Sequence, residues 1–165
     1  MTDDERPFEI PDTWEWTRLG SVFVLQAGKN VPAGLIEESG TYPCYGGNGI
    51  RGYISKFNRD GIFPIIGRQG ALCGNIKLAE GKFFATEHAV VVETFAQTSA
   101  RWVEKFLIAL NLNQYATATA QPGISVQRIN IVPIPITPLA EQERIVAKLE
   151  HLCEPINLLK AALVE

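Results

Sequence analysis

The stretch GGNGIRGYISKFNRDGIFPIIGRQGALCGNIKLAEG (residues 46–81) decides the fold, because it holds nine of the chain's fourteen glycines. Between them stand short β-branched and aromatic runs. Strands are predicted at residues 52–56, 62–66, 74–78 and, just beyond, 89–94, each bounded by Gly, Asn or Asp. Asn48-Gly49 and Asp60-Gly61 read as tight turns, and Glu80-Gly81 as a turn between strands 74–78 and 82–86. So many short strands and turns predict a compact, irregular β-rich body.

The flanks differ. Residues 11–27 look helix-compatible at first and then apolar, with Trp14, Trp16, Leu19, Val22, Phe23, Val24 and Leu25. Residues 99–112 carry Trp102, Phe106, Leu107 and Leu110 at helical spacing, with Thr98 or Ser99 as N-cap. A low-complexity loop, QYATATAQPG (114–123), follows. In IVPIPITP (131–138) the prolines rule out a central strand, leaving an edge or an extended linker that points away from the body. A last helix then begins, with Thr137 as N-cap, Pro138 at the first position, and Glu141 and Glu143 near the positive end of the dipole. Its apolar residues Ile145, Leu149, Leu152, Ile156, Leu159 and Leu163 are spaced 4, 3, 4, 3, 4, which is a heptad seam. The other reading is an amphipathic helix packed on its own domain. Pro155 is expected to kink or break the helix near residues 151–154. The class is α+β: an irregular β-rich domain over 1–136, then a coiled-coil-forming helix over 137–165.

Composition narrows the function. The 165 residues are 46% hydrophobic with a net charge of −3, ordinary for a folded chain and too apolar for disorder. No apolar run approaches the roughly 18 residues of a membrane span. The acidic start, with Asp3, Asp4 and Glu5, excludes a secretory signal. Cys44, Cys73 and Cys153 form no CxxC pair, so a reducing cytoplasm is expected. Cys44 and Cys73 sit in apolar settings and read as core fillers. His88 and His151 are too isolated for a metal centre. Charge is uneven: residues 1–20 hold six acids and two bases, whereas residues 44–82 hold Arg51, Lys56, Arg59, Arg68, Lys77 and Lys82 against Asp60 and Glu80. A basic middle between acidic ends is either a footprint for an anionic partner or ordinary surface scatter.

Familiar catalytic patterns are absent: GxGxxG, a P-loop, HExxH, GxSxG, and the Asn/Asp-Pro-Pro-aromatic motif of amino-methyltransferases. Asp60 with Glu80-Gly81-Lys82 imitates the spacing of magnesium nucleases, where two carboxylates hold the metal and a lysine stabilises charge. Glu87-His88 reads as a turn entering the strand 89–92, with His88 half buried. Trp14 and Trp16 read as core, or as an anchor for the last helix.

Four segments, IPDTWEWTRLG (10–20), YPCYGGNGIRGY (42–53), IGRQGALCGNI (66–76) and IPITPLAEQERIV (134–146), occur in this order. Together they resemble the specificity (S) subunits of type I restriction-modification systems. The resemblance implies a target recognition domain followed by a conserved-region helix. It implies no catalysis by this chain and no cofactor of its own; S-adenosylmethionine, magnesium and ATP would belong to partner subunits. The implied partners are double-stranded DNA, methyltransferase (M) subunits and restriction (R) subunits, with a possible homodimer through the terminal helix. One such unit resembles the N-terminal half of a longer subunit, or a half-subunit that dimerises.

Candidate DNA contacts are Asn48, Arg51, Arg68, Gln69 and Asn75 in the glycine-rich segments. Lys29, Asn30, Gln121 and Ser125 are candidate variable readers. Arg reads guanine bidentately, and Asn or Gln reads adenine. The competing readings are a nuclease using Asp60, Glu80 and Lys82, and a protein-interaction module without DNA binding.

Overall fold

The computed structural model describes residues 2, 5–95, 98–117 and 122–162, with side chains described as far as residue 155. The elements are β1 (Glu15–Arg18), α1 (Leu19–Val22), β2 (Val24–Ala27), β3 (Tyr42–Gly46), β4 (Gly49–Ile54), β5 (Arg59–Gly67), β6 (Ile76–Ala85), β7 (Ala89–Glu93), α2 (Ala100–Leu110), α3 (Val126–Asn130), β8 (Pro133–Ile136) and α4 (Leu139–Ala162). One sheet has the order β2-β7-β5-β6-β3-β4, and β1 pairs separately with β8. The class is α+β, as the glycine spacing and the flanking helices imply.

The β5–β6 ribbon organises the body. Its ladder runs from Arg59↔Phe83 to Ile66↔Ile76. The turns predicted at Asp60-Gly61 and Glu80-Gly81 are not there; both glycines lie inside strands and face each other across the ladder. Their φ values are +142° and +73°, a region that side chains disfavour. Two glycines at one rung let the ribbon bend without ending it. Beyond the bend, Phe83 and Ala85 share a core with Ile65, Ala79, Ala89 and Val91. Asn58 extends the ladder one rung with its side chain: Nδ2 donates to the Ala85 carbonyl at 2.9 Å, and Oδ1 accepts from the Ala85 N–H at 2.8 Å.

A tight turn forms one residue earlier than the expected Asn48-Gly49: Gly46 pairs with Gly49, and Gly47-Asn48 are the two loop residues of the β3–β4 hairpin. The larger core lies between the sheet and the helices, where Leu19, Phe23, Ile66, Val90, Trp102, Leu107, Ile129 and Ile134 are all buried. Each such side chain contributes about 2 kcal/mol by leaving water. Helix α2 starts where its cap predicts, with the Ser99 hydroxyl accepting from the Trp102 N–H.

Four expectations at the chain's flanks are corrected. Trp14 and Trp16 do not begin a helix. Trp16 lies on β1 opposite Pro135 of β8, so strand pairing overrides the local pattern. Pro133 and Pro135 have no N–H, so Ile134 and Ile136 carry that ladder. Second, the segment after the prolines does not point α4 away from the body. Val146 is buried in the main core, Ile145 packs against it, and Gln142 is wholly buried. Third, Thr137 does not cap α4; its buried hydroxyl has no partner. Helix α4 continues through Pro155 rather than breaking there.

Candidate nucleic-acid interface

Four backbone segments converge on the turn that joins β6 to β7. From one side, Gly28 donates to the Ala89 carbonyl and Lys29 to the Ala85 carbonyl, each at 3.0 Å. The hairpin tip approaches through Tyr45, whose carbonyl accepts from Thr86 at 3.0 Å. The loop after β5 arrives through Arg68, whose N–H donates to the His88 carbonyl at 2.9 Å. The segment after the low-complexity loop joins it: Ile124 donates to the Arg68 carbonyl at 2.9 Å, and Gly70 to the Pro122 carbonyl at 3.0 Å.

Glycine is required where these backbones touch. A Cβ on Gly67 would lie 1.9 Å from the Gly47 carbonyl oxygen, and one on Gly28 would lie 2.1 Å from that of Ala85. Contacts that short exclude any side chain. These glycines therefore pack the scaffold.

Those side chains form a polar rim. Gly47, Asn48, Gln69, Gly70, His88, Pro122 and Gly123 line a cavity of about 420 Å³. Asn48 is exposed at the hairpin tip, and its Oδ1 accepts from Asn75 Nδ2 at 2.9 Å. The Arg51 side chain passes Gly46, and the Lys77 side chain passes Gly49. Behind the rim, burial pushes the Cys44 thiol and the Tyr45 phenol above their ordinary pKa values. Both stay neutral, and Cys44 is the core filler the sequence implied.

The basic middle divides sharply. Arg59 is held by Gln26 at 2.6 Å and faces Glu93 at 3.8 Å. Lys56 and Lys82 lie over the rings of Phe84 and Phe57, at 5.7 and 4.8 Å from their centroids. Among the described residues, Arg51, Arg68 and Lys77 form no ion pair. These three, with Lys29, flank the convergence point.

The predicted contacts thus separate into groups. Asn48, Arg51, Arg68, Gln69, Asn75 and Lys29 come together around the β6–β7 turn. Asn30 is exposed beside Lys29. Ser125 is spent as the N-cap of α3, accepting from the Arg128 N–H at 3.2 Å. Gln121 lies outside the described residues. Two rim residues, Lys77 and His88, were not singled out as contacts from sequence. His88 is half buried in the predicted turn, with Nε2 3.2 Å from Glu87 Oε1. Only the parity of β6 hints at Lys77, which alternates with buried Ile76.

The nuclease arrangement does not assemble. Asp60 faces Lys82 across the ladder, but Glu80 is engaged by Arg101 at 2.7 Å. Among the described residues no three His, Cys, Asp or Glu side chains cluster as metal ligands.

The terminal helix also divides. Ile145 is taken into the body's own core, whereas Leu149 and Leu152 are 38% and 56% exposed. The side chains of Ile156 and Leu159, and all of Leu163, lie outside the described residues. Gln142 was not singled out from sequence, yet it is central. Its Oε1 accepts from the Ser99 N–H and its Nε2 donates to the Thr137 carbonyl, both at 2.8 Å.

The family model of the type I restriction modification DNA specificity domain matches residues 11–165. The chain is 44% identical over 136 residues to the type I restriction enzyme EcoprrI specificity subunit of Escherichia coli. It is 31% identical over 143 residues to a putative type I specificity subunit, S.HindORF215P, of Haemophilus influenzae. These alignments cover 80% and 84% of this chain, but 34% and 37% of the relatives. The chain therefore spans about a third of their length. Among solved structures, an S subunit from M. genitalium superposes with a TM-score of 0.77 at 20% identity, over 93% of this chain and 43% of that one. HsdS from Thermoanaerobacter tengcongensis gives 0.72 at 22% identity, over 94% and 41%. At those identities the likeness is one of fold.

Proposed function

The chain belongs to the type I restriction-modification specificity family, and on that premise we propose that it reads one half of a split duplex-DNA target. Residues 1–136 serve as the target recognition domain and residues 137–165 as the conserved-region helix. The chain is not itself an enzyme. Methyltransferase subunits bring S-adenosylmethionine and catalysis, and restriction subunits bring the magnesium- and ATP-dependent work. The cytoplasm, where the DNA is, is the compartment.

The observation that supports this best is the rim. Three backbone segments bonded to one turn, and a fourth bonded to one of them, bring six candidate contacts together, and among the described residues Arg51, Arg68 and Lys77 have no carboxylate partner. Unpaired cations give affinity through phosphates, while the amides of Asn48 and Gln69 suit base edges. Rigid backing matters because a reader must hold its geometry to discriminate. Asn30 and Ser125 remain part of the proposal, as does Gln121, which lies outside the described residues.

Helix α4 supplies assembly. With Ile145 packed on its own body, the seam offered to a partner begins at Leu149 and Leu152, and the sequence spacing carries it on to Ile156, Leu159 and Leu163. A second such helix, from another copy or another part of a longer chain, covers it. Selection of duplexes from a random library, with the methyltransferase subunit present and no metal, tests the reading. Enrichment of one short sequence is expected. No enrichment, with partner binding retained, would favour the protein-interaction module instead.

A further inference from the structure

Imidazole is the one side chain whose ordinary titration falls between pH 5 and 8, and the rim carries one, on His88. It lines the rim cavity with Gly47, Asn48, Gln69 and Gly123, and 37% of the side chain is exposed. The backbone under it is fixed from two directions. The His88 carbonyl accepts from the Arg68 N–H at 2.9 Å, and the next N–H, of Ala89, donates to the Thr86 carbonyl at 3.0 Å. The chain's other histidine, His151, lies far along the sequence on α4.

The charges around the ring come from every element packed on the turn. On the turn itself, Glu87 Oε1 stands 3.2 Å from His88 Nε2. The hairpin brings Arg51, with Cys44 and Tyr45, whose buried thiol and phenol stay neutral. Lys29 follows β2, Arg68 follows β5, and Lys77 stands on β6. Residues 122–124 add no charge. These four cations draw phosphates of a bound duplex to the turn, and negative charge beside an imidazole favours its protonated form. Donor count points the same way. A neutral ring has one N–H, whereas imidazolium has two. Only the cation can face Glu87 with one nitrogen and donate to a phosphate oxygen with the other.

We propose that His88 is a further DNA-binding residue, which meets a backbone phosphate as imidazolium, so that duplex binding takes up a proton at its ring. The proton comes from solvent and returns there when the duplex leaves. This rests on the DNA-reading role proposed above.

The pH dependence of binding tests it, using the chain with its methyltransferase subunit and the duplex selected from a random library. The readout is the difference between chains in the same complex, because groups on the partner subunit contribute equally to each. The parent binds about fivefold more tightly at pH 6 than at pH 8 for a titration moved by about one pH unit on binding. Its slope of log affinity against log salt is also steeper at pH 6, by at most about 1. His88→Gln loses both differences, and His151→Gln keeps both. His88→Lys, charged at either pH, binds equally at the two and holds the steeper slope throughout. Both His88 substitutions leave the Arg68–His88 backbone bond in place, and equal thermal melts verify that the turn is intact.

The same pH dependence in His88→Gln or His88→Lys as in the parent would overturn the proposal. So would a parent whose affinity does not change with pH. A salt slope identical at pH 6 and pH 8 would overturn it too, since the ring would then meet no phosphate. These outcomes leave the DNA-reading role standing. Failure to select any sequence would instead remove that role, and the inference with it.

Discussion

The rim around the β6–β7 turn and the helix α4 are the two regions proposed to meet partners, and they are built in opposite ways. The rim is backbone packed on backbone. Its glycines bring carbonyls and N–H groups of distant segments together, and its polar side chains are left outside. Helix α4 is side chain packed on side chain, and only at its start. Gln142, Ile145 and Val146 are absorbed by the body, and the apolar stripe emerges uncovered at Leu149 and Leu152. On the proposed reading, the site that holds a geometry is buttressed by backbone hydrogen bonds, and the helix that would meet a partner is anchored at its start and more exposed further along.

Breaking the buttress should cost most. Gly67→Ala would place a Cβ 1.9 Å from the Gly47 carbonyl oxygen. Backbone cannot yield as a side-chain tip does, so the destabilisation is at least about 3 kcal/mol. A thermal melt should fall by roughly 10 °C. A melt within a degree or two of the parent would mean that these segments do not pack as described.

The anchor of α4 comes next. Gln142→Ala removes the acceptor of the half-buried Ser99 N–H and the donor to the buried Thr137 carbonyl, and should cost about 2 kcal/mol. Leu152→Asp, further along the helix and exposed, should leave the melt unchanged within about 0.5 kcal/mol. It should nevertheless weaken binding to a helical partner, measured by sedimentation. Equal destabilisation by both variants would erase the distinction between anchored and open halves.

How much of this was legible in the sequence follows the same division. The heptad spacing exposed the stripe, but spacing carries no record of what covers it. Only the packing of Ile145 and Gln142 reveals that the stripe starts inside the body. The glycine density marked the β-rich stretch correctly. It did not reveal that Gly61 and Gly81 are rung partners, because a glycine that bends a ribbon and one that ends it look alike in one dimension. Trp16 misled for a related reason: its strand exists only because β8 arrives from a distant part of the chain. The candidate contacts Asn48, Arg68, Gln69 and Asn75 were readable as polar residues between glycines. Their meeting at the β6–β7 turn was not, nor was the retirement of Arg59, Lys56 and Lys82 into local interactions.

The smallest expected effect lies at the N-terminus, outside both regions. Glu5 accepts from the Thr2 N–H and from Arg18, and these hold its carboxyl below the ordinary value. A lowered folded pKa stabilises above the unfolded value, and that stability disappears as pH falls through the folded one. Glu5→Gln should therefore melt slightly below the parent at pH 7, and the gap should close as the pH is lowered. The group is exposed, so a large difference at pH 7 would contradict this account.

The measurement that bears most directly on the rim is the salt dependence of duplex binding by variants of the basic middle. Removing one cation that neutralises a phosphate lowers the slope of log affinity against log salt by about 1. Arg51→Ala, Arg68→Ala and Lys77→Ala should each weaken binding and flatten that slope. Lys56→Ala and Lys82→Ala, whose ammonium groups lie over Phe84 and Phe57 in the parent, should leave it alone. An unchanged slope in all three rim variants, or the same flattening in the two controls, would contradict the placing of the DNA interface at the rim.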